Sequence, residues 1–453
     1  MEQDRYKEYI ETMEDTGIYP EELNKMGLRL RKRLRRRQYK LLFGSSGIIT
    51  GVFLLFTILV NTNTAIADAI IDIPVIGTLA EYVSFDKGLQ NAIDNKYIQE
   101  VNLVQESNGY TLGLPYVIAD NKRLVLFFQL PKDMIAQDNT NYQVYVNDIT
   151  DLSGVIQSNT GNSRYKSFEA EYKSNKNGLI VVSIRIPEEI IPQKLLLSVS
   201  LQTQTPTDHD DHRDEFDDLP KDLFQTLGSF AFDLELNDYV EPNILIQDQV
   251  LQVKDQTLHI NSVTEYPTGI EISVTSPGTN SSIISDLNFK AIDSDGNVWK
   301  QTGSSVPFNS DSTNRTLFCY LENNYYDLAP LEKLEITGIA MFDKTEQYIT
   351  VDLLNKTLTP KPSDLNIINV EMKDEKANIT FETEKMENRC YFDFNYTDLY
   401  GAKYKFNHIS FDTRNNKSQI YLSVISGTDH QVILERREAP ILMLEQPVEV
   451  DLK

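Results

Sequence analysis

The chain has 453 residues, 40% of them hydrophobic, with 23 Tyr and 20 Phe, which excludes a disordered polymer and leaves room for about three domains of ordinary size. Its formal net charge of −24 is unevenly laid out: residues 1–40 carry 11 Lys or Arg against 8 Asp or Glu, residues 41–67 carry none, and the remainder therefore holds −27. The only two cysteines, Cys319 and Cys390, exclude a disulfide framework and show no metal-ligand spacing; free buried thiols are expected, with a single bridge as the alternative.

Residues 1–40 read as a helical segment. Tyr6, Tyr9, Ile10 and Met13 fall at i, i+3, i+4 and i+7, one apolar stripe on an acidic helix. Gly17 and Pro20 punctuate the chain, and Leu23, Met26, Leu30 and Leu34 continue a stripe on a second helix. Forty residues are too few to bury both stripes without help, so Tyr6, Tyr9, Ile10, Met13, Leu23 and Met26 are candidate partner-binding residues.

Arg29, Arg31, Lys32, Arg33, Arg35, Arg36, Arg37 and Lys40 precede LLFGSSGIITGVFLLFTILV, an uncharged stretch at 41–60. At 1.5 Å per residue, twenty residues of helix reach roughly 30 Å, the thickness of bilayer hydrocarbon. A transmembrane helix is expected there. Its basic flank is the topology signal that keeps the N-terminus in the cytoplasm and the bulk of the chain outside the cell. That flank meets anionic lipid rather than nucleic acid. A cleaved signal peptide ending at Ala65-Ile66-Ala67 is the rival reading, but signal peptides have a shorter basic start and a shorter apolar core. Gly47 and Gly51 form a GxxxG pair suited to helix packing, so a transmembrane homodimer is open.

Residues 61–100 read as two short membrane-proximal amphipathic helices, one beginning at Pro74 with Ile76, Leu79 and Val83 on a face, the other with Leu89, Ala92, Ile93 and Tyr97. They are expected to pack on the following domain or to lie at the lipid interface. Beyond residue 100 the period changes to two. RLVLFFQL (123–130), GLIVVSIRI (178–186), KLLLSVSLQ (194–202), GIEISVTS (269–276) and ANITFET (377–383) read as strands, which makes this part mainly β.

A weak internal repeat joins LNFKAIDSDGNVWKQ (287–301) to FDFNYTDLYGAKYKF (392–406), with VYVNDITDLSGVIQS (144–158) as a more divergent copy. Each reads strand, turn, strand, and paired-strand patterns precede the first two at 262–275 and 369–382. The spacing of about 105 residues matches an immunoglobulin-like β-sandwich. The expected organisation is a first β-sandwich at 101–242, a second immunoglobulin-like domain at 243–360 and a third β domain at 361–453.

Candidate chemistry is sparse. His209, Asp210, Asp211 and His212 lie in an acidic run, DHDDHRDEFDD, that could hold a cation; no glycine or fixed register organises it, so a solvated loop is the stronger reading. Asp293-Ser294-Asp295-Gly296-Asn297 resembles the start of a calcium loop but has Val298 at the sixth position and Ser304 at the twelfth, and a hairpin turn accounts for it. Ser84-Phe85-Asp86-Lys87 matches S-x-x-K without its companion motifs. Hydrolase, protease, P-loop and Rossmann signatures are missing, so neither an enzyme nor a cofactor is expected.

Several patches resemble the membrane-anchored negative effectors, or anti-sigma factors, of extracytoplasmic-function sigma factors in Gram-positive bacteria. They are Pro20-Glu21-Glu22-Leu23 leading to Gly27-Leu28 and the basic run, Ile73-Pro74-Val75-Ile76-Gly77, Asp86-Lys87-Gly88-Leu89 with Ala92-Ile93, Tyr97-Ile98-Gln99-Glu100-Val101-Asn102, and Asp120. The likeness spans roughly residues 18–240. It implies that the inner segment sequesters a sigma factor while an outer domain of unknown function senses an envelope signal. The zinc-binding His and Cys pattern of better-known anti-sigma factors does not occur in residues 1–40, so docking would have to use the helical stripes. The alternative is a cell-envelope binding or adhesion protein with no signalling output. The outer charge of −27 favours a cationic ligand or envelope component as partner in either case.

Overall fold

A computed structural model describes residues 79, 82–83, 86–131, 134, 142–152, 173–174, 178–186, 190–204, 224–310, 314–323, 325–326, 329–373, 376–383, 391–412, 414–422 and 430–452. These residues are mainly β, arranged in several antiparallel sheets. Among them no helix is long and apolar enough to cross a membrane; the expected transmembrane stretch 41–60 lies outside the described residues.

Helix α1 (Lys87–Asp94) begins at Asp86, whose Oδ1 accepts from Leu89 N at 3.2 Å and caps the helix. Leu89, Ala92 and Ile93 form its buried face. The sequence pattern extends that face to Tyr97. The helix instead closes at Asn95, Lys96 takes a left-handed conformation (φ 62°), and Tyr97 joins the same cluster from outside the helix.

Strands β1 (Gln99–Ser107), β2 (Tyr110–Ala119), β3 (Arg123–Gln129), β4 (Tyr142–Asp151), β5 (Lys173–Ser174), β6 (Leu179–Arg185), β7 (Lys194–Gln204) and β8 (Phe224–Glu235) build the first β unit. One sheet runs β1-β2-β3-β6-β5 and the other β4-β7-β8. Leu126, Phe128 and Val182 from the first sheet meet Val144, Leu197, Phe230 and Phe232 from the second in a shared core. On the opposite face of the first sheet, Leu79, Val83, Leu89 and Ile93 cover Tyr116, Val125, Phe127 and Val181. Strands β3 and β6 are therefore buried at every position, which is why RLVLFFQ and LIVVSIR are nearly continuous apolar runs. Each large side chain so enclosed contributes about 1.5–3 kcal/mol of transfer free energy. Leu79, Val83, Leu89 and Ile93 thus pack on protein.

Strands β9 (Asn243–Val253), β10 (Gln256–Tyr266), β11 (Gly269–Pro277), β12 (Ser282–Asp293), β13 (Val298–Lys300), β14 (Val306–Ser310), β15 (Asn314–Leu321) and β16 (Leu331–Asp343) form the second unit. Its first sheet runs β14-β15-β11-β10-β9. A 3-10 turn (Lys344–Glu346) leads to β17 (Tyr348–Asp352), β18 (Thr357–Thr359), β19 (Leu365–Lys373), β20 (Lys376–Thr383), β21 (Phe392–Thr397), β22 (Lys403–Asp412), β23 (Lys417–Leu422) and β24 (Gln431–Arg436). These eight form one continuous sheet around a core that includes Ile349, Phe381, Tyr396 and Leu434. The last strand, β25 (Ile441–Asp451), leaves this unit and pairs with β16, completing the order β13-β12-β16-β25 in the second unit. Val450 and Leu452 then join the second core.

Sheet membership differs in two places from the expected boundaries at 360 and 361. Residues 348–359 pair with the third unit, and residues 441–451 return to the second. The return depends on Gly338: a Cβ there would stand 2.7 Å from Ile441 Cγ2, so only glycine admits the C-terminal strand at this separation.

The internal repeat has a common physical basis. At the β12–β13 hairpin, Asp293 Oδ1 accepts from Asp295 N and Asn297 N, and Oδ2 from Trp299 Nε1 at 3.1 Å. At the β21–β22 hairpin, 105 positions on, Asp398 Oδ1 accepts from Tyr400 N and Ala402 N, and Oδ2 from Tyr404 OH at 3.2 Å. Gly296 and Gly401 occupy matching left-handed positions (φ 82° and 85°). Both turns place an aspartate at i, a glycine at i+3 and a donating aromatic at i+6. The Asp293 carboxylate is filled by protein donors, which supports the hairpin reading over the calcium loop. Burial, which would raise its pKa, is outweighed by the bonds from Asn297, Trp299 and Asp295, and the carboxyl is held below the usual range.

Candidate functional site

The first and second β units meet at a joint built almost entirely from buried polar groups. Its centre is Arg123, at the first position of β3. Arg123 Nη1 lies 2.7 Å from Asp86 Oδ2, and the two side chains are 5% and 2% exposed. The same guanidinium donates through Nε to Ser183 Oγ at 2.9 Å and through Nη1 to the Thr268 carbonyl at 3.1 Å. Asp86 is also the cap of α1, so one carboxylate fixes both the helix start and the arginine.

Asp120, fully buried in the turn before β3, makes a second link. Its Oδ1 accepts from the backbone of Lys122 and Arg123, each at 2.9 Å, and its Oδ2 accepts from Thr268 N at 3.2 Å and Thr268 Oγ1 at 2.6 Å. Thr268 belongs to the tight turn between β10 and β11, where Tyr266 pairs with Gly269. The hairpin tip of the second unit is thus gripped by two side chains of the first. A buried ion pair gains little net energy over apolar packing, but loss of one partner leaves a charge without compensation, so such a contact fixes geometry more than it adds stability.

The helix start completes the joint. Lys87 N donates to Glu322 Oε1 at 3.3 Å, and Asn91 Nδ2 reaches the Asn323 carbonyl at 3.5 Å. Asn323 Nδ2 donates to the Tyr266 carbonyl. Gly88 lies against all three parts: a Cβ there would sit 3.0 Å from Asn323 Oδ1, 3.0 Å from the Thr268 carbonyl and 3.2 Å from Asp86 Oδ1. Arg185 reaches Thr302 Oγ1 at 3.0 Å and stacks over the Tyr320 ring at 4.7 Å. At the far side Tyr97 and Tyr326 have ring centroids 6.3 Å apart. Burial pushes the phenols of Tyr97, Tyr239, Tyr266 and Tyr326 well up, so they stay neutral.

Glu271 is the one carboxyl in this joint with a markedly raised pKa. Burial pushes it up to about 7; Lys122 and Arg185 pull it down and Asp120 adds to the rise. The space beside Glu271, lined also by Asp120, Arg123 and Tyr266, is about 20 Å³, room for a single water. The joint is therefore closed to ligands. Its chemistry is that of a clamp that titrates near neutrality.

None of the candidate partner-binding residues Tyr6, Tyr9, Ile10, Met13, Leu23 and Met26 lies among the described residues, nor do the basic run 29–40, Gly47 and Gly51. The same holds for His209, Asp210, Asp211 and His212. Among the described residues no group of three or more His, Cys, Asp or Glu is placed to hold a metal ion. Cys319 is a buried free thiol 3.0 Å from Ser305 Oγ, and burial pushes its pKa up, which makes it inert. Sequence reasoning noted Asp86, Gly88 and Asp120 only as parts of a resemblance and missed Arg123. The available signal was a charged residue at the head of a strand whose neighbours are all apolar.

Residues 37–131 match the family model described as Domain of unknown function (DUF4179). The match covers the apolar stretch, α1 and strands β1 to β3, and with them Asp86, Gly88, Asp120 and Arg123 from the first unit's side of the joint. A comparison with curated proteins gives no match. Among solved structures, the chain is similar at 11% identity and a TM-score of 0.38 to "The crystal structure of the conserved domain protein from Bacillus anthracis", over 79% of this chain and 92% of that one.

Proposed function

We propose that this chain is a single-pass membrane regulator, an anti-sigma factor whose inner segment 1–40 sequesters an extracytoplasmic-function sigma factor. In this reading residues 41–60 span the membrane, and tandem immunoglobulin-like domains outside sense an envelope signal. The sequence support is the arginine-rich run before an uncharged stretch of bilayer length, followed by an acidic β-rich remainder. The stripe Tyr6, Tyr9, Ile10 and Met13 on an acidic helix suits a partner with a basic, partly apolar surface, charge setting the encounter rate and apolar burial the affinity.

One structural observation favours signalling over simple anchorage. The residues that follow the apolar stretch in sequence are no loose tether. Leu79, Val83 and α1 are built into the first β unit, and Asp86, Gly88 and Asn91 tie that segment to the second. A ligand or load that shifts one unit against the other would therefore strain the segment leading to the span. The test is capture of a sigma factor, identified by mass spectrometry, with the full chain extracted from its native membrane. Tyr9→Asp and Ile10→Asp should each abolish the capture and raise transcription from promoters of that sigma factor. Unchanged capture and repression in both variants would refute this docking mode.

A further inference from the structure

The second and third β units enclose a different kind of space. A cleft of about 500 Å³ lies between them, lined on one side by Ser276, Pro277, Ile283 and Arg315 and on the other by Lys344, Tyr348, Arg436 and Arg437. That volume falls within the range of about 300–1,000 Å³ typical of small-ligand sites. Four cationic side chains line it against one carboxylate, Glu435, in a chain whose net charge is −24.

Two of the four cations are committed. Arg436, 1% exposed, pairs with Glu346 at 2.6 Å and with Asp364, and its guanidinium stacks over Phe342 at 4.7 Å. Arg437 bridges Asp393 at 2.7 Å and Glu435 at 3.1 Å. Among the described residues the other two enter no close ion pair. Arg315, half-buried on β15, has a buried Nε with no hydrogen-bond partner; burial works against its charge more strongly than Glu438 and Asp286 support it. Lys344 donates to the Gly278 carbonyl at 2.5 Å, a neutral acceptor that satisfies one of its three protons. A buried guanidinium nitrogen left without an acceptor is costly, and a protein keeps one where something else supplies the acceptor.

We propose that this cleft is a binding site for a small ligand carrying an oxyanion, a phosphate or a carboxylate, held between Arg315 and Lys344. The guanidinium fork of Arg315 takes two oxygens of the anion, and the Lys344 ammonium neutralises it from the 3-10 turn that connects the two units. Pro277, Ile283 and the half-exposed ring of Tyr348 receive the uncharged part of the ligand. The site does not depend on what the inner segment binds, so it stands or falls separately from the regulatory reading.

The full chain in detergent would be titrated by calorimetry with glucose 1-phosphate, glucuronate and glucose. The two anions should bind and weaken as salt is raised, while glucose should not bind measurably; the stronger anion identifies the preferred group. Arg315→Gln should weaken the anion by roughly tenfold or more, and Lys344→Gln by a smaller factor. Arg315→Lys, which keeps the charge and loses the fork, should recover only part of the affinity. A thermal melt of each variant checks that the fold is intact. Equal binding of glucose and its phosphate, no binding by any of the three, or full affinity in a folded Arg315→Gln protein would overturn the proposal.

Discussion

The two joints between β units solve opposite problems with the same residue types. At the first joint the central charges have counterparts inside the protein: Asp86 meets Arg123, Asp120 is saturated by Thr268 and two backbone amides, and the remaining space holds one water at most; Glu271, which keeps one buried oxygen without a partner, is the exception. At the second joint a cleft of about 500 Å³ stays open, and among the described residues Arg315 and Lys344 have no carboxylate as hydrogen-bond partner, although Glu438 and Asp286 attract Arg315. The lesson is that buried charge at an interface is not one phenomenon. Where partners are complete it fixes the angle between units; where a partner is missing the group holds a proton, as Glu271 does, or awaits an acceptor, as proposed for Arg315.

The largest test of that contrast is to remove one arginine from each joint. Arg123→Ala strands Asp86 beside an emptied site and should lower unfolding stability by about 3–5 kcal/mol, measured by chemical denaturation followed through Tyr and Trp fluorescence. Arg315→Gln removes a charge that burial disfavours and that forms no close ion pair among the described residues, so stability should hold or rise by up to about 1 kcal/mol in the same assay. Equal losses would erase the distinction between the two joints.

The next effect is pH-dependent and belongs to the first joint. Burial pushes the Glu271 carboxyl up to about 7 in the folded chain, against 4.5 for an ordinary glutamate. The folded state therefore binds a proton that the unfolded state has already released between those values. Its contribution is fully present below about pH 4.5 and is lost as pH rises through about 7, a span of about 3 kcal/mol at most. Glu271→Gln should flatten this part of the stability profile and raise the melting midpoint at pH 8. A profile with the same slope in the variant would place the titration elsewhere.

A smaller effect sharpens the geometry. Gly88→Ala adds a methyl 3.0 Å from both Asn323 Oδ1 and the Thr268 carbonyl. Alanine favours helix by about 1 kcal/mol over glycine, whereas overpacking costs about 1–3 kcal/mol. The carbonyl is backbone and cannot swing aside, so crowding should win and the variant should lose about 1 kcal/mol net. A gain in stability would mean that the two units separate easily at α1.

The strands beyond residue 100 were legible because their burial is legible. Strands β3 and β6 read as unbroken apolar runs, and the repeat at Asp293 and Asp398 carried its own turn chemistry, aspartate, glycine and donating aromatic at fixed offsets. The hairpins 262–275 and 369–382 appear as paired strands, Tyr266 opposite Gly269 and Lys373 opposite Lys376. The path of the C-terminal strand was not legible. A segment such as ILMLEQPVEVD, with no clean alternation, fits any sheet edge, and the gap left at Gly338 admits it at the edge of β16.

What the sequence determined alone is set by contacts between near neighbours: the uncharged stretch behind a basic run, the period-two strands, the helical face of Leu89, Ala92 and Ile93, and the repeated turns. Each follows from spacing along one element. Tertiary structure alone decided that Arg123 meets Thr268 across 145 positions, that Arg315 and Lys344 face one cleft, and that the last strand returns to the second unit. Those pairings rest on how sheets close around their cores, and no local periodicity encodes which distant charge will be brought beside another.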